Sequence, residues 1–324
     1  MSRAPRLLAG LAVVAALLAT ACSSGATPRT LGDKPTVVAA EDFWGSIASQ
    51  LGGDHVTVTS IITNPNADPH DYEPTTADAR NIATAGYVIE NGIGYDPWVQ
   101  RLIDSNPTKG RRVLNVGNLV GVPVGGNPHQ WYSPASVQQV IDAITTEYKK
   151  LDPGDANAFD QLRNSFENDG LAEYRRLIDE IRSKYAGAPV GASESIFAEL
   201  APALGLKLIT PPAFLTAVSE GTDPTAADKA TIDQQIASHQ IKVYVYNRQN
   251  ATPDVQQQIQ AAQRVGIPVT TITETLVPEG ATFQAWQVNQ LRSLETALAR
   301  GAGTGAGTGA GTEAGTGAGT GTAS

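Results

Sequence analysis

From residue 34 to residue 300, short β-rich runs alternate with longer helical stretches. A chain patterned this way buries its strands as parallel sheets covered by helices. Four strands are expected in the first half, near residues 36–40, 56–62, 87–90 and 113–116, and four in the second, near 189–192, 206–210, 243–247 and 269–273. Between the halves, residues 156–185 contain no proline, and Phe159, Leu162, Phe166, Leu171, Tyr174, Leu177, Ile178 and Ile181 fall close to one helical stripe. Asp152-Pro153-Gly154-Asp155 supplies proline and acidic residues where a helix start favours them. The expected fold class is therefore α/β: two similar lobes, each a four-stranded parallel sheet flanked by helices, joined by one long linker helix. Asn168-Asp169-Gly170 are poor helix formers and mark a bend within it. A single stiff helix restrains how far the lobes can swing apart.

The ends of the chain have a different character. Arg3 and Arg6 precede an apolar run over residues 7–21 that is short for a bilayer span and has the layout of a secretory signal. The run closes on Leu18-Ala19-Thr20-Ala21-Cys22, which resembles the lipobox of bacterial lipoproteins, with Ala19 where leucine is usual. Cys22 is the sole cysteine, so an internal disulfide is excluded and lipid attachment is the economical role for it. Residues 301–324 repeat Gly-Ala-Gly-Thr with almost no apolar bulk, and are expected to be a disordered tail. The expected organisation is a signal peptide at 1–21, a lipid-anchored linker at 22–33, an N-terminal lobe at 34–151, the linker helix at 152–186, a C-terminal lobe at 187–300 and the tail.

A formal charge of -9 and a pI near 5.0 argue against a nucleic-acid partner, which requires a basic face, and suit the attraction of cations. Two of the four histidines lie in matching segments, Asp68-Pro69-His70-Asp71-Tyr72-Glu73-Pro74 and Asn127-Pro128-His129-Gln130-Trp131-Tyr132-Ser133-Pro134. Proline before each imidazole disfavours helix at the preceding residue, presenting the histidine from an ordered loop. Neutral imidazole is the commonest ligand for borderline transition metals.

In open α/β sheets ligands bind outside the carboxyl ends of the strands. His70 follows the second expected strand and His129 the fourth; Glu194 follows the first strand of the second half and Glu274 the fourth. Two facing lobes would bring two imidazoles against two carboxylates. Each acid also has a plainer reading. Glu194 could charge the N-terminus of a helix over residues 195–204, and Glu274 could be an exposed loop acid. Glu220, Asp223 and Asp71 are nearby acidic alternatives, with Asp223 before Pro224 better suited to capping a helix. His55 and His239 read as structural.

Over about residues 34–300 the chain resembles the metal-receptor family of bacterial ABC importers, the solute-binding proteins specific for zinc or manganese. The resemblance rests on the two proline-histidine segments, on Glu194-Ser195-Ile196-Phe197, on Thr273-Glu274-Thr275 and on Ser219-Glu220-Gly221-Thr222-Asp223-Pro224. It implies His70, His129, Glu194 and Glu274 as the four ligands. Zinc receptors of the family commonly have a third histidine where Glu194 stands, and many carry a histidine-rich loop that this chain lacks. The fourth position is more often aspartate, so Glu274 adds one methylene. Carboxylate oxygen suits manganese or iron, whereas intrinsic affinity favours zinc, so the transported ion, Mn2+ or Zn2+, stays open at this stage.

The implied role is a monomeric, non-enzymatic receptor, lipid-anchored to the outer face of the cytoplasmic membrane, that delivers the ion to an ABC permease. A Gly-x-x-x-x-Gly-Lys-[Ser/Thr] phosphate loop is absent from the sequence, so ATP hydrolysis would fall to a separate subunit. The alternatives are a metal-dependent hydrolase and a cell-adhesion protein with a structural metal.

Overall fold

The computed structural model describes residues 34–65 and 72–303. The export segment, Cys22, His70 with Asp71, and the repeat from residue 304 lie outside the described residues. The first sheet is built from β1 (Thr36–Glu41), β2 (Thr57–Ile62), β3 (Tyr87–Glu90) and β4 (Arg112–Asn115) in the order β2-β1-β3-β4, all parallel. Helices α1 (Asp42–Gly52), α2 (Thr76–Thr84), α3 (Pro97–Ser105) and α4 (Val116–Val120) make the connections, and α5 (Pro134–Leu151) follows. Ser133 caps α5 by accepting from the Ser136 amide, with Pro134 as its first residue. β1 is buried on both faces, as an interior parallel strand must be. Its alternation sends Val37 and Ala39 to one core and Val38 and Ala40 to another.

The connection between the lobes is α6 (Ala156–Ser165), a π-helical turn at Phe166–Gly170, and α7 (Ala172–Tyr185). The irregular turn falls on the Asn168-Asp169-Gly170 segment, where helix propensity is weakest. The second sheet repeats the first: β5 (Pro189–Ala192), β6 (Lys207–Leu208), β7 (Tyr244–Asn247) and β8 (Val269–Ile272) run parallel in the order β6-β5-β7-β8. Helices α8 (Pro212–Ser219), α9 (Ala226–Ala237), α10 (Pro253–Arg264) and α11 (Phe283–Gly303) complete it.

Three local expectations are corrected. Residues 195–204 form only a 3-10 turn at Ser195–Ala198 followed by further turns, because Pro202 and Gly205 interrupt the helical pattern. Thr225, and not Asp223, caps α9 by accepting from the Asp228 amide. The tail does not begin at residue 301: α11 continues to Gly303, and Gly301 is buried so close to the Lys242 carbonyl that any side chain there would collide with it.

One hydrophobic core runs through both lobes, from Phe43, Trp131 and Tyr148 in the first to Phe197, Leu204 and Leu291 in the second, with Tyr174 and Leu177 of α7 between. Phe43 stacks on Trp131 at 4.0 Å, and Tyr132 meets Trp286 of α11 at 5.5 Å. Hydrogen bonds cross with it: Tyr132 donates to the Thr273 carbonyl, the Leu276 amide to Asp42, and the Phe283 amide to Ser46. Helix α7 is thus one of several ties between the lobes. Because the core is shared, thermal unfolding should be a single transition, and Phe43→Ala should lower stability by about 3–5 kcal/mol without splitting it. Two resolved transitions in calorimetry would contradict a shared core.

Candidate metal centre

Both sheets have their topological switch between the strands that lead off in opposite directions, β1/β3 in one lobe and β5/β7 in the other. Glu194 lies two residues beyond β5 and Glu274 two residues beyond β8, both at the carboxyl end of the parallel second sheet. His129 comes from the long loop after α4, facing them from the first lobe. The three side chains converge with almost no exposure, 0 % for His129 and 1 % each for Glu194 and Glu274. His129 Nε2 stands 3.3 Å from Glu274 Oε1.

His129 is held by Asn127, whose Oδ1 accepts from the His129 backbone amide at 3.2 Å and lies 2.7 Å from Nδ1. The orientation of that amide is fixed from across the cleft, because Asn127 Nδ2 donates to the Ser195 carbonyl at 2.9 Å. An amide oxygen only accepts, so Nδ1 carries a proton, and in the neutral imidazole Nε2 presents its lone pair towards Glu274. Two acceptors at that distance require a cation or a proton between them. The loop itself is anchored by Asn91, which donates to the Pro128 carbonyl and accepts from the Trp44 indole.

The carboxylates are held by amides and a phenol. Asn247 Nδ2 donates to Oε1 of Glu194 and, at 2.9 Å, to Oε1 of Glu274. Asn250 donates to Glu194 Oε2 at 2.9 Å, and Tyr95 of the first lobe to Glu274 Oε2 at 3.0 Å. Gln249 accepts from the Glu274 and Thr275 amides, fixing the backbone after β8. Glu194 is therefore bonded as a site residue; it makes no side-chain cap to the 3-10 turn that follows it. Burial, and then the charge of Glu274, raise its pKa well above the usual carboxylate range, against the opposing pull of His129 and the two asparagines.

The acidic alternatives separate cleanly. Glu220 and Asp223 are exposed, and Glu220 lines a cavity of about 290 Å3 whose wall also includes Tyr95, Asn127, Ser195 and Ser219. His55 pairs with Asp155 at 2.6 Å, and His239 is the residue of positive φ after α9; neither approaches the cleft. Sequence reading did not single out Tyr95, Asn247, Gln249 or Asn250. The strand-end rule that found the glutamates would have found the Asn247-Arg248-Gln249-Asn250 run, which leaves β7 between them.

A buried imidazole and two carboxylates at facing strand ends define a two-lobed α/β protein with a ligand site between its lobes. The chain belongs to the family described as zinc-uptake complex component A, periplasmic, which it matches over residues 37–297. It is 26 % identical over 204 residues to an iron-binding protein of Yersinia pestis, covering 59 % of this chain and 63 % of that protein. It is 26 % identical over 153 residues to a manganese-binding lipoprotein of Halalkalibacterium halodurans, covering 45 % and 50 %. The chain thus spans between half and just under two-thirds of the length of these two relatives. Its fold is that of a periplasmic metal-binding protein from Candidatus Liberibacter asiaticus, with a TM-score of 0.68 and 20 % identity over 82 % of this chain and all of that one.

Other acids at the strand ends share the upward shift. Burial raises Asp42 and Glu90 to about 7, and Asp96, lying beside Glu41, to about 6. Each folded-state value lies above its unfolded one, so the stabilising contribution is full below the unfolded pKa and is lost as pH rises through the folded pKa. The half-buried Glu173, held near 2 by its arginines, titrates below this window. Chelator-treated protein should therefore lose thermal stability between about pH 5 and about pH 8. A rising profile across that range would contradict the assignment of these acids.

Proposed function

We propose that the protein is an extracytoplasmic receptor that takes a divalent transition metal into the cleft between its lobes and hands it to an ABC permease for import. The observation that carries this reading is the approach of His129 Nε2 to Glu274 Oε1 at 3.3 Å beside Glu194, an imidazole and two carboxylates buried together. His70 completes the set as fourth ligand. Among the described residues no group of three metal-binding side chains already meets at ligating distance. Export and a lipid anchor on Cys22 place the receptor at the outer face of the membrane as a monomer. Among the described residues no helix is long and apolar enough to cross a membrane.

The same burial speaks against a hydrolase. A catalytic metal keeps an open position reached by water and substrate, whereas these ligands sit behind Tyr95, Asn127 and Ser195 with at most 1 % exposure. No feature of the site favours an adhesin.

Native purification should yield about one equivalent of zinc, manganese or iron per chain. His129→Ala and Glu194→Ala should each abolish stoichiometric rebinding after chelation, while His239→Ala should retain it. A wild-type chain that stays metal-free and gains no thermal stability from any of these ions would refute the receptor. Binding must displace the proton held by the buried acids, so affinity should rise with pH from about 5 to about 7, by about tenfold per unit where one proton is released.

A further inference from the structure

Glu41 ends β1 at the start of α1, and Asp96 stands at the start of α3; neither side chain caps its own helix. Asp96 turns back instead, its Oδ2 accepting from the Asn91 amide and its Oδ1 from the Gly92 amide, both at 2.7 Å. Those two bonds close a turn that the backbone resists, since Gly92, Ile93 and Gly94 have φ of 71°, 63° and 98° and Ile93 is β-branched.

The turn carries the first lobe's half of the site. Its Asn91 carbonyl accepts from the Gly117 amide at 2.9 Å and its Ile93 carbonyl from the Gly125 amide at 3.1 Å. The Asn91 side chain donates to the Pro128 carbonyl at 2.9 Å, and Tyr95 reaches Glu274 from the other end of the turn. The stretch leading to His129 is therefore held at residues 117, 125 and 128 by one short segment, which Asp96 clasps.

Glu41 lies against Asp96 with 0 % exposure, and Asp42 and Glu90 are also near it. Among the described residues no N–H or hydroxyl donates to either of its oxygens. Burial, and then Asp96, push its carboxyl well above the usual carboxylate range. A carboxylate that is dry, without a donor and faced by other acids is costly, whereas the neutral acid has an O–H to give. Asp96, whose two amide donors favour its ionised form, is the acceptor within hydrogen-bonding reach.

We propose that Glu41 is a positioning residue of the metal centre: as a neutral acid it donates an O–H hydrogen bond to Asp96, and so braces the Asn91–Asp96 turn that sets Tyr95 and the His129 loop. The proposal rests on the metal-receptor reading above. The experiment is Zn2+ titration of chelator-stripped full-length wild type, Glu41→Leu and Glu41→Gln, together with the infrared difference spectrum between metal-free wild type and Glu41→Gln. Leucine occupies the space without a donor, and folded Glu41→Leu should bind zinc about tenfold more weakly, the lower end of the range for groups that orient ligands from behind. Glu41→Gln, whose amide keeps an N–H for Asp96, should recover most of that loss. At about pH 7 the wild type should show the carbonyl band of a protonated carboxylic acid that Glu41→Gln lacks. This band is read without metal and, with the Glu41→Gln titration, decides the matter if Glu41→Leu does not fold.

Wild-type zinc affinity in folded Glu41→Leu, a loss of about tenfold in Glu41→Gln, or the absence of the acid band would each overturn the brace while leaving the receptor standing. A wild type that binds none of zinc, manganese or iron would remove the receptor reading, and the role in the metal centre with it, even where the acid band is present.

Discussion

Two carboxylates held side by side away from water repel each other, and the elements around Glu194 and Glu274 answer that cost. Isolated charges of one sign in a dry interior are relieved by hydrogen bonds, by protonation or by a cation. The first remedy is visible in Asn247, Asn250 and Tyr95. The second is visible in the raised pKa of Glu194. Each leaves the pair short of full compensation, and the residue is what makes the cleft attractive to a small ion of high charge. Affinity in such a site comes from the fold having assembled the repulsion in advance.

That assembly depends on the lobes being pressed together. A carboxylate pair on one lobe and an imidazole on the other meet at 3.3 Å because the aromatic core from Phe43 through Trp131 and Tyr132 to Trp286 is continuous behind them. The hydrogen bond from the Leu276 amide to Asp42 ties the segment that follows Glu274 to the start of α1. The site and the core are therefore two sides of one interface, polar towards the cleft and aromatic towards α7 and α11.

Much of this architecture was legible in the chain. All eight strands lie at or next to the expected positions, because parallel strands read as short β-branched runs and the turns between them are rich in glycine and proline. The placement of Glu194 and Glu274 just beyond strand carboxyl ends followed from the same pattern, whereas α4 intervenes between β4 and His129. What the pattern hid was set by contacts distant in sequence. Asn247 ends an expected strand, but its reach to both glutamates depends on β7 lying between β5 and β8. The residues after Glu194 have helical apolar spacing, yet packing of Ile196, Phe197 and Leu200 into the core is achieved by 3-10 and turn geometry. Gly301 belongs by composition to the repeat, and only its close approach to Lys242 draws it into α11.

Asn127 gives this geometry one more consequence. Its oxygen fixes the proton on one nitrogen of His129, but its own orientation is dictated by the Ser195 carbonyl on the opposite lobe. Parting the lobes would withdraw that carbonyl and let the amide turn over, so the imidazole would lose the partner that keeps its proton on Nδ1. The tautomer of His129 is thereby coupled to closure: the contact that sets it is made only while the two lobes are together.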